Sequence, residues 1–299
     1  MTDTRHVSAI DDSIETEARS FGRQVWDRFR RHKLAVLAAV VLVVLTVSFW
    51  VAPALSPYEF DEITPDFRQP PTAAHPFGTD DIGRDLLVRT FMGGRFSIRI
   101  ALLVALSTTL IGTLLGAVAG YFGGWIDALV SQIINMVLLV PALAILLVLA
   151  LKWGSSPWSI SIVLAALLWT RIARVVRGLF LQYKEQEFVM AARSAGARSG
   201  RIMFRHILPN VMGPVVVETT LLVGTAIILE STLSFLGLGV QFPTPTLGNL
   251  VAEAKGAIDS NPYRVLLPGS FVMLITLSIN FLGDGLRDAL DPSSGGGRT

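Results

Sequence analysis

The sequence contains no cysteine and few charged residues. The absence of cysteine among 299 residues excludes disulfides, thiol nucleophiles, iron–sulfur clusters and cysteine-ligated zinc. Charged residues make up 16% of the chain, whereas a soluble domain usually carries about 25%. Hydrophobic residues make up 52%, which excludes a disordered chain or a coiled coil and disfavours a soluble enzyme. The net charge of +2 gives no electrostatic signal for binding nucleic acid.

Local motifs for metal or nucleotide binding are also missing. The four histidines are far apart, and none forms an HExxH pair: His6, His32, His75 and His206. No GxxxxGK[ST] loop is present, so the chain is not expected to bind ATP itself. We therefore predict no cofactor, no metal and no catalytic residue in this chain. A membrane-embedded enzyme would need clustered His, Asp or Ser within the apolar segments, and none is evident.

Long apolar segments dominate the sequence instead. A bilayer core of ~30 Å requires roughly 20 apolar residues of helix. The apolar segments do not alternate with polar residues, which excludes a spanning β-barrel. We predict an all-α polytopic membrane bundle with six transmembrane helices at residues 34–52, 100–119, 128–151, 157–170, 207–229 and 265–283. The segment 157–170 is short, with a re-entrant or surface helix as the alternative. Arg171, Arg174 and Arg177 follow it and are expected to extend to the lipid headgroups.

The flanking charges predict an orientation. Basic residues concentrate before residue 34 and between residues 171 and 205, and acidic residues concentrate between 59 and 85. By the positive-inside rule, residues 1–33, 178–209 and 288–299 are cytoplasmic, and residues 54–96 form an extracytoplasmic loop. Residues 97–287 then form a core of five helices. The apolar segment 34–52 is longer than the roughly 7–15 residues of a cleaved signal peptide, so we interpret it as a retained helix.

Within the extracytoplasmic loop, Thr79 is a candidate helix N-cap because Asp80 and Asp81 follow it in the first turn. A short helix is expected from there toward Met92. Asp85 and Arg89 stand four residues apart on it and could pair.

Two acids are the only charges of the fifth predicted helix and its outer end: Glu218 lies within the helix, and Glu230 directly follows it. Acids at membrane depth are costly and suggest a translocation pathway, with solvated or bundle-paired acids as the alternative. Twelve residues at ~100° each place them about 120° apart around the helix. This separation and the lack of an evident repeat argue against a secondary transporter driven by an ion gradient.

The cytoplasmic segment between the fourth and fifth helices has the pattern of a helix, a glycine stop and a second helix. A helix over residues 187–196 is expected to end at Gly196, which suits a left-handed position. Ser199 is a candidate cap for a second helix. Ala191 and Ala192 present a thin surface that another protein could approach closely.

This segment resembles the EAA loop of ABC-transporter permeases. Ala191, Ala192, Gly196, Leu208 and Pro209 occupy its positions, whereas Met190 and His206 depart from the generic form. Glu187 matches the form found in the peptide-permease branch. Residues 75–85, HPFGTDDIGRD, resemble the HPxGTDxxGRD signature of the C-type subunits of dipeptide and oligopeptide permeases. The resemblance extends from about residue 28 to residue 292.

The resemblance implies a permease subunit of a type I ABC importer, located in the cell membrane with both termini cytoplasmic. It implies pairing with a homologous B-type permease, two cytoplasmic ATPases that bind ATP and Mg²⁺, and an extracytoplasmic solute-binding protein. The helix over residues 187–196 would couple the bundle to one ATPase. The implied cargo is di- or oligopeptides, with nickel, glutathione or another small solute as alternatives within the same family.

Overall fold

The computed structural model describes residues 21–153 and 156–290. These residues are helical or irregular, and they contain no β-strand beyond one isolated bridge between Thr79 and Asp85. The α-helices are α1 (Phe21–Arg31), α2 (Lys33–Leu55), α3 (Leu86–Phe122), α4 (Gly124–Leu139), α5 (Ala142–Trp153), α6 (Pro157–Tyr183), α7 (Glu187–Ser194), α8 (Ser199–Arg201), α9 (Leu208–Phe235), α10 (Leu247–Ala254) and α11 (Tyr263–Leu290). A π-helix, Ile202–Ile207, joins α8 to α9, and a 3-10 turn, Lys255–Ala257, follows α10.

Five of the six predicted spans are confirmed as helices long and apolar enough to cross a membrane: α2, α3, α6, the combined helix Ser199–Phe235, and α11. The third span is not the continuous helix that we expected. It consists of α4 and α5, which meet at an angle of 91°. Val140 is extended between them and Pro141 follows. Proline disfavours the helical conformation of the residue before it and has no N–H to donate, so the helix breaks here.

The fourth predicted span is confirmed and is longer than expected, because α6 continues through the three arginines. Each of these arginines has a polar partner on another helix, and their contact with lipid headgroups stays a prediction. Arg171 pairs with Glu218, Arg177 pairs with Asp127, and Arg174 donates to Asn135 Oδ1 at 3.3 Å. Arg171 and Arg174 remain exposed, whereas Arg177 is partly buried.

The centre of the bundle is the long contact between α3 and α6. Gly112, Gly116 and Gly120 form a stripe on α3, and a Cβ on Gly116 would lie 2.5 Å from the carbonyl oxygen of Ala173. Such close backbone approach is typical of small-residue helix contacts in membranes. Helices α2, α9 and α11 pack around this pair through a shared apolar core that includes Phe49, Ile227, Ile275 and Ile279.

Candidate functional site

We call residues 187–209 the motif segment. Its first helix is α7, which ends at Gly196 as predicted. Gly196 has φ of +79°, a left-handed conformation that glycine adopts without a Cβ penalty. Its N–H donates to the Arg193 carbonyl at 3.0 Å, and the Ala197 N–H donates to the Ala192 carbonyl at 3.0 Å. This pair of bonds is a Schellman motif, which satisfies carbonyls at the helix end.

One side chain anchors α7 to the bundle. Val189 is fully buried and belongs to the same apolar cluster as Ile202 and Ile207 of the π-helix. Ala192 is partly buried against this cluster, whereas Ala191 is exposed. The two alanines therefore do not share one thin outward surface, because a rotation of ~100° per residue separates them.

The outer face of α7 consists of Glu187, Met190, Ala191 and Ser194, all of which are exposed. Met190 is 49% exposed, and the neighbouring Phe188 is 40% exposed. Ala191 lies in the middle of this face, between a flexible thioether and a carboxylate. An exposed, partly apolar helix face of this kind can dock into a groove of another protein.

The rest of the motif segment leads directly into α9. The predicted capping role of Ser199 is wrong: Arg198 occupies the N-cap position, without a side-chain hydrogen bond, and Ser199 is already helical. Leu208 N–H donates to the Met203 carbonyl, which closes the π-helix. Pro209 follows at the start of α9 and has no N–H with which to continue the α-helical pattern. Leu208 is partly buried and Pro209 is exposed.

Glu218 is paired within the bundle. It is partly buried on α9 and forms an ion pair with Arg171 of α6, whose side chain is 54% exposed. Close by in sequence, Thr219 and Thr109 share a hydrogen bond of 2.8 Å between their hydroxyl oxygens. Glu218 therefore follows the bundle-paired alternative, and its contact with a solute stays a prediction.

Glu230 has a different environment. It is 1% exposed, and its carboxylate accepts hydrogen bonds from Ser234 Oγ at 2.8 Å and Ser97 Oγ at 3.4 Å. No base of the described chain lies within ion-pair distance of it. Ser97 Oγ also accepts the Leu247 N–H at 3.1 Å, so the carboxylate connects α3, α9 and α10. The structure does not bring Glu218 and Glu230 together.

The extracytoplasmic loop begins α3 differently from our prediction. Asp85, not Thr79, is the N-cap, and it accepts the Val88 N–H at 2.8 Å. The other Asp85 oxygen lies 2.8 Å from Nδ1 of the buried His75. Thr79 instead joins two parts of the loop, because its hydroxyl accepts the Gln69 N–H and donates to the Asp66 carbonyl.

The expected pair between Asp85 and Arg89 is also wrong. Arg89 is 1% exposed and donates from Nη2 to Glu253 Oε2 of α10 at 2.9 Å. Arg84 contacts Asp80 Oδ2 at 2.5 Å and Glu253 at 3.1 Å. We call Asp80, Arg84, Arg89 and Glu253 the external ion cluster. It ties the loop to α10, and sequence reasoning missed Arg84 and Glu253 because their pairing crosses 169 residues.

Asp81 extends this network to α11. Its carboxylate accepts from Arg264 Nη1 and lies 3.1 Å from Arg68 Nε. Partial burial favours the neutral form, but hydrogen bonds and charge from Arg264 and Arg68 outweigh it and hold the pKa of Asp81 below its usual value.

Within residues 21–153 and 156–290, no group of three or more His, Cys, Asp or Glu side chains is arranged so that it could hold a metal ion. The organised features are thus the exposed α7, the partly buried Glu218 and buried Glu230 of α9, and the external ion cluster. None of them has the constellation of nucleophile and base that covalent catalysis requires.

Two family models together match most of the chain. The model of the binding-protein-dependent transport system inner membrane component matches residues 112–295. The model of the N-terminal transmembrane domain of oligopeptide transport permease C matches residues 20–71.

Individual relatives are similar over most of their length. The oligopeptide transport system permease protein OppC of Bacillus subtilis (strain 168) is 37% identical over 282 residues, which is 94% of this chain and 92% of that protein. OppC of Escherichia coli (strain K12) is 38% identical and covers 95% of both chains. The dipeptide transport system permease protein DppC of Alkalihalophilus pseudofirmus is 38% identical and covers 90% of this chain and 89% of that protein.

Proposed function

Because the chain belongs to the family of binding-protein-dependent transport system inner membrane components, we propose that it is the permease subunit of an ATP-driven importer of di- and oligopeptides. The names of its relatives support peptides as the cargo. In this role the chain carries the solute across the membrane and does not itself hydrolyse ATP.

The proposed assembly contains a homologous B-type permease, two cytoplasmic ATPases that bind ATP and Mg²⁺, and an extracytoplasmic solute-binding protein. The observation that carries the proposal is the outer face of α7, which is exposed and partly apolar although Val189 fixes the helix on the bundle. A helix whose inner side packs on the bundle and whose outer side is exposed can dock into a groove of an ATPase.

The connections of α7 suggest how movement reaches the pathway. Val189 contacts the cluster that contains Ile202 and Ile207, and the π-helix continues without a gap into α9. Closure of the ATPases would therefore shift α7 and α9 together as one rigid unit. Glu218 and Glu230 lie on α9, so the proposed pathway acids would move with it relative to α3.

The same proposal assigns the orientation. The motif segment lies in the cytoplasm, where the ATPases are, and the external ion cluster lies at the opposite end. With six crossings, counting α4 and α5 as one broken span, both termini are cytoplasmic in the cell membrane.

The docking of α7 can be tested at Ala191. We expect Ala191→Trp to insert normally in the membrane but to reduce ATP-dependent uptake of a radiolabelled tripeptide by about five- to hundredfold, because overpacking an interface costs ~1–3 kcal/mol. The complete complex in proteoliposomes is the sample. Gln182→Trp is the matched control, since Gln182 is an exposed residue of α6 outside α7. Ala192→Trp is less informative, because Ala192 already packs partly against the bundle itself.

Cross-linking provides the direct readout. The chain has no native cysteine, so Ala191→Cys should cross-link to a cysteine in the ATPase groove, whereas Asp66→Cys should not. Normal uptake by Ala191→Trp without any cross-link to an ATPase would contradict the docking proposal. Uptake driven by an ion gradient without ATP would favour a secondary transporter. Uptake of nickel or glutathione but not peptide would overturn the cargo alone.

A further inference from the structure

An apolar cleft lies between α1 and the first half of α2. Its volume is about 480 Å³. Trp26 and Arg30 of α1 form one wall, and four valines of α2 form the other: Val36, Val40, Val43 and Val44. None of these residues belongs to the motif segment or to the pathway proposed above.

The valine wall runs along one side of α2. The spacing of the valines places them on one helix face over ~12 Å of the axis, at 1.5 Å per residue. Val40 is 54% exposed, Val43 is 61% exposed and Val44 is 60% exposed. The cleft is therefore an elongated apolar surface that starts beside α1 and continues along a helix that spans the membrane.

The end of the cleft beside α1 is aromatic and basic. The Arg30 guanidinium lies over the Trp26 ring, 5.8 Å from its centroid. Among the described residues, no carboxylate forms an ion pair with Arg30, and this includes Asp27, which lies one turn earlier. Three other exposed bases lie nearby in the sequence: Arg23, Arg31 and Lys33. Tryptophan and basic residues together mark the level of the lipid headgroups.

The cleft is fixed by packing and is not a consequence of a loosely attached helix. Phe29 of α1 is buried in a cluster with Ala35 and Ala289. A Cβ on Gly285 of α11 would lie 2.2 Å from the Ala35 Cβ, so the two backbones approach closely. His32 Nδ1 accepts the Ala35 N–H at 3.1 Å and holds the corner between α1 and α2.

We propose that this cleft binds one anionic glycerophospholipid. The phosphate contacts Arg30 beside Trp26, and one acyl chain lies along the valine wall. A cation without an acidic partner at one end of a narrow apolar surface matches a molecule with an anionic head and a hydrocarbon tail. A free phosphate would leave the valines uncovered, and a zwitterionic lipid would bring its own ammonium group beside the phosphate that Arg30 contacts. The inference goes beyond the proposed transport function, and it needs no solute.

Native mass spectrometry of the complete transporter complex tests the proposal. The complex is extracted from vesicles of phosphatidylethanolamine with a minor fraction of phosphatidylglycerol, and retained phosphatidylglycerol is counted. Val40→Trp should lose one phosphatidylglycerol per copy of this chain, because the indole fills the cleft. Val47→Trp is the matched control: Val47 is also 54% exposed and lies on the same helix outside the cleft.

A second pair of variants tests the role of charge. Arg30→Gln should lower phosphatidylglycerol occupancy about fivefold, the equivalent of ~1 kcal/mol for one basic residue near anionic lipid. Arg31→Gln should change it less, since Arg31 does not line the cleft. Equal losses in both variants would mean diffuse surface attraction and would overturn the proposed site.

Two other results would also overturn it. One is unchanged phosphatidylglycerol occupancy in Val40→Trp. The other is cross-linking of Val40→Cys to the partner permease in place of lipid, which would show that protein covers the cleft. Lipid counts do not depend on uptake, so failure here and failure of the peptide-transport proposal can be told apart.

Discussion

The external ion cluster and the motif segment hold their local structure in opposite ways. At the external end, Arg89 is 1% exposed and bonded to Glu253 of α10. At the other end, one buried residue, Val189, fixes α7, and nothing in residues 21–153 and 156–290 covers the outer face of the helix. The first region is completed by contacts within the chain. The second leaves apolar side chains exposed, which is the usual mark of an interaction surface.

This difference has an energetic side. Buried charges contribute little net stability when paired, but removal of one partner is costly because it leaves the other desolvated and uncompensated. The external end should therefore be sensitive to single substitutions of its charges. The motif segment should be sensitive to loss of its anchor.

The largest effect is expected from Arg89→Leu. Breaking a fully buried ion pair costs about 3–5 kcal/mol. Because Glu253 is 41% exposed and keeps Arg84 as a partner, we expect about 2–3 kcal/mol here. Hydrogen–deuterium exchange should show α10 opening more readily, with no change in α7. Arg68→Leu is the control, since the Arg68 side chain is 70% exposed and exposed pairs contribute ~0–1 kcal/mol. Equal exchange of α10 in both variants would contradict the difference between buried and exposed pairs.

A smaller effect is expected from Val189→Ala. Two buried carbon groups are removed at ~0.8 kcal/mol each, and a small cavity adds to the loss, for about 2 kcal/mol in total. Amide exchange of α7 should accelerate while exchange of α10 is unchanged. Met190→Ala is the matched neighbour, because Met190 belongs to the exposed outer face. If Met190→Ala loosened α7 as much as Val189→Ala, the single-anchor description would be wrong.

The smallest effect is expected from Asp81→Asn. Arg264 and Arg68 hold the pKa of Asp81 below its usual value. Its contribution to stability is therefore fully present above the unfolded pKa of about 3.9 and is lost as the pH falls toward the folded value. The difference in melting temperature between wild-type and Asp81→Asn complexes should be small at pH about 7 and should shrink below pH about 4. A difference that grows on acidification would contradict the sign of the shift.

Much of the fold could be predicted because the bilayer imposes a length on each apolar segment. Residues 34–52 and 265–283 lie within helices α2 and α11. The end of α7 was predictable because glycine, which has no Cβ, adopts the positive φ of Gly196 readily. The length of an apolar segment and the backbone preference of a glycine are both properties of neighbouring residues, so the sequence alone reveals them.

The errors came from long-range partners. Thr79 has the neighbours of an N-cap, but its hydroxyl bonds to the loop at Asp66 and Gln69. The pairing of Arg171 with Glu218 of α9 could likewise not be read from the neighbours of either residue. The two faces of α7 could not be assigned from the sequence, because the inward direction depends on where the π-helix packs.

The bend between α4 and α5 has a consequence for solvation. An angle of 91° at Pro141 ends the α-helical pairing, so carbonyl groups of the last turn of α4 lack their usual donors. Leu139 is 83% exposed beside them. Hydrocarbon offers no hydrogen-bond donor, and irregular backbone at membrane depth is tolerated only against protein or water. Lipid alone therefore cannot cover this side of the molecule. In an isolated copy of this chain, the carbonyl groups at the bend would lack hydrogen-bond donors.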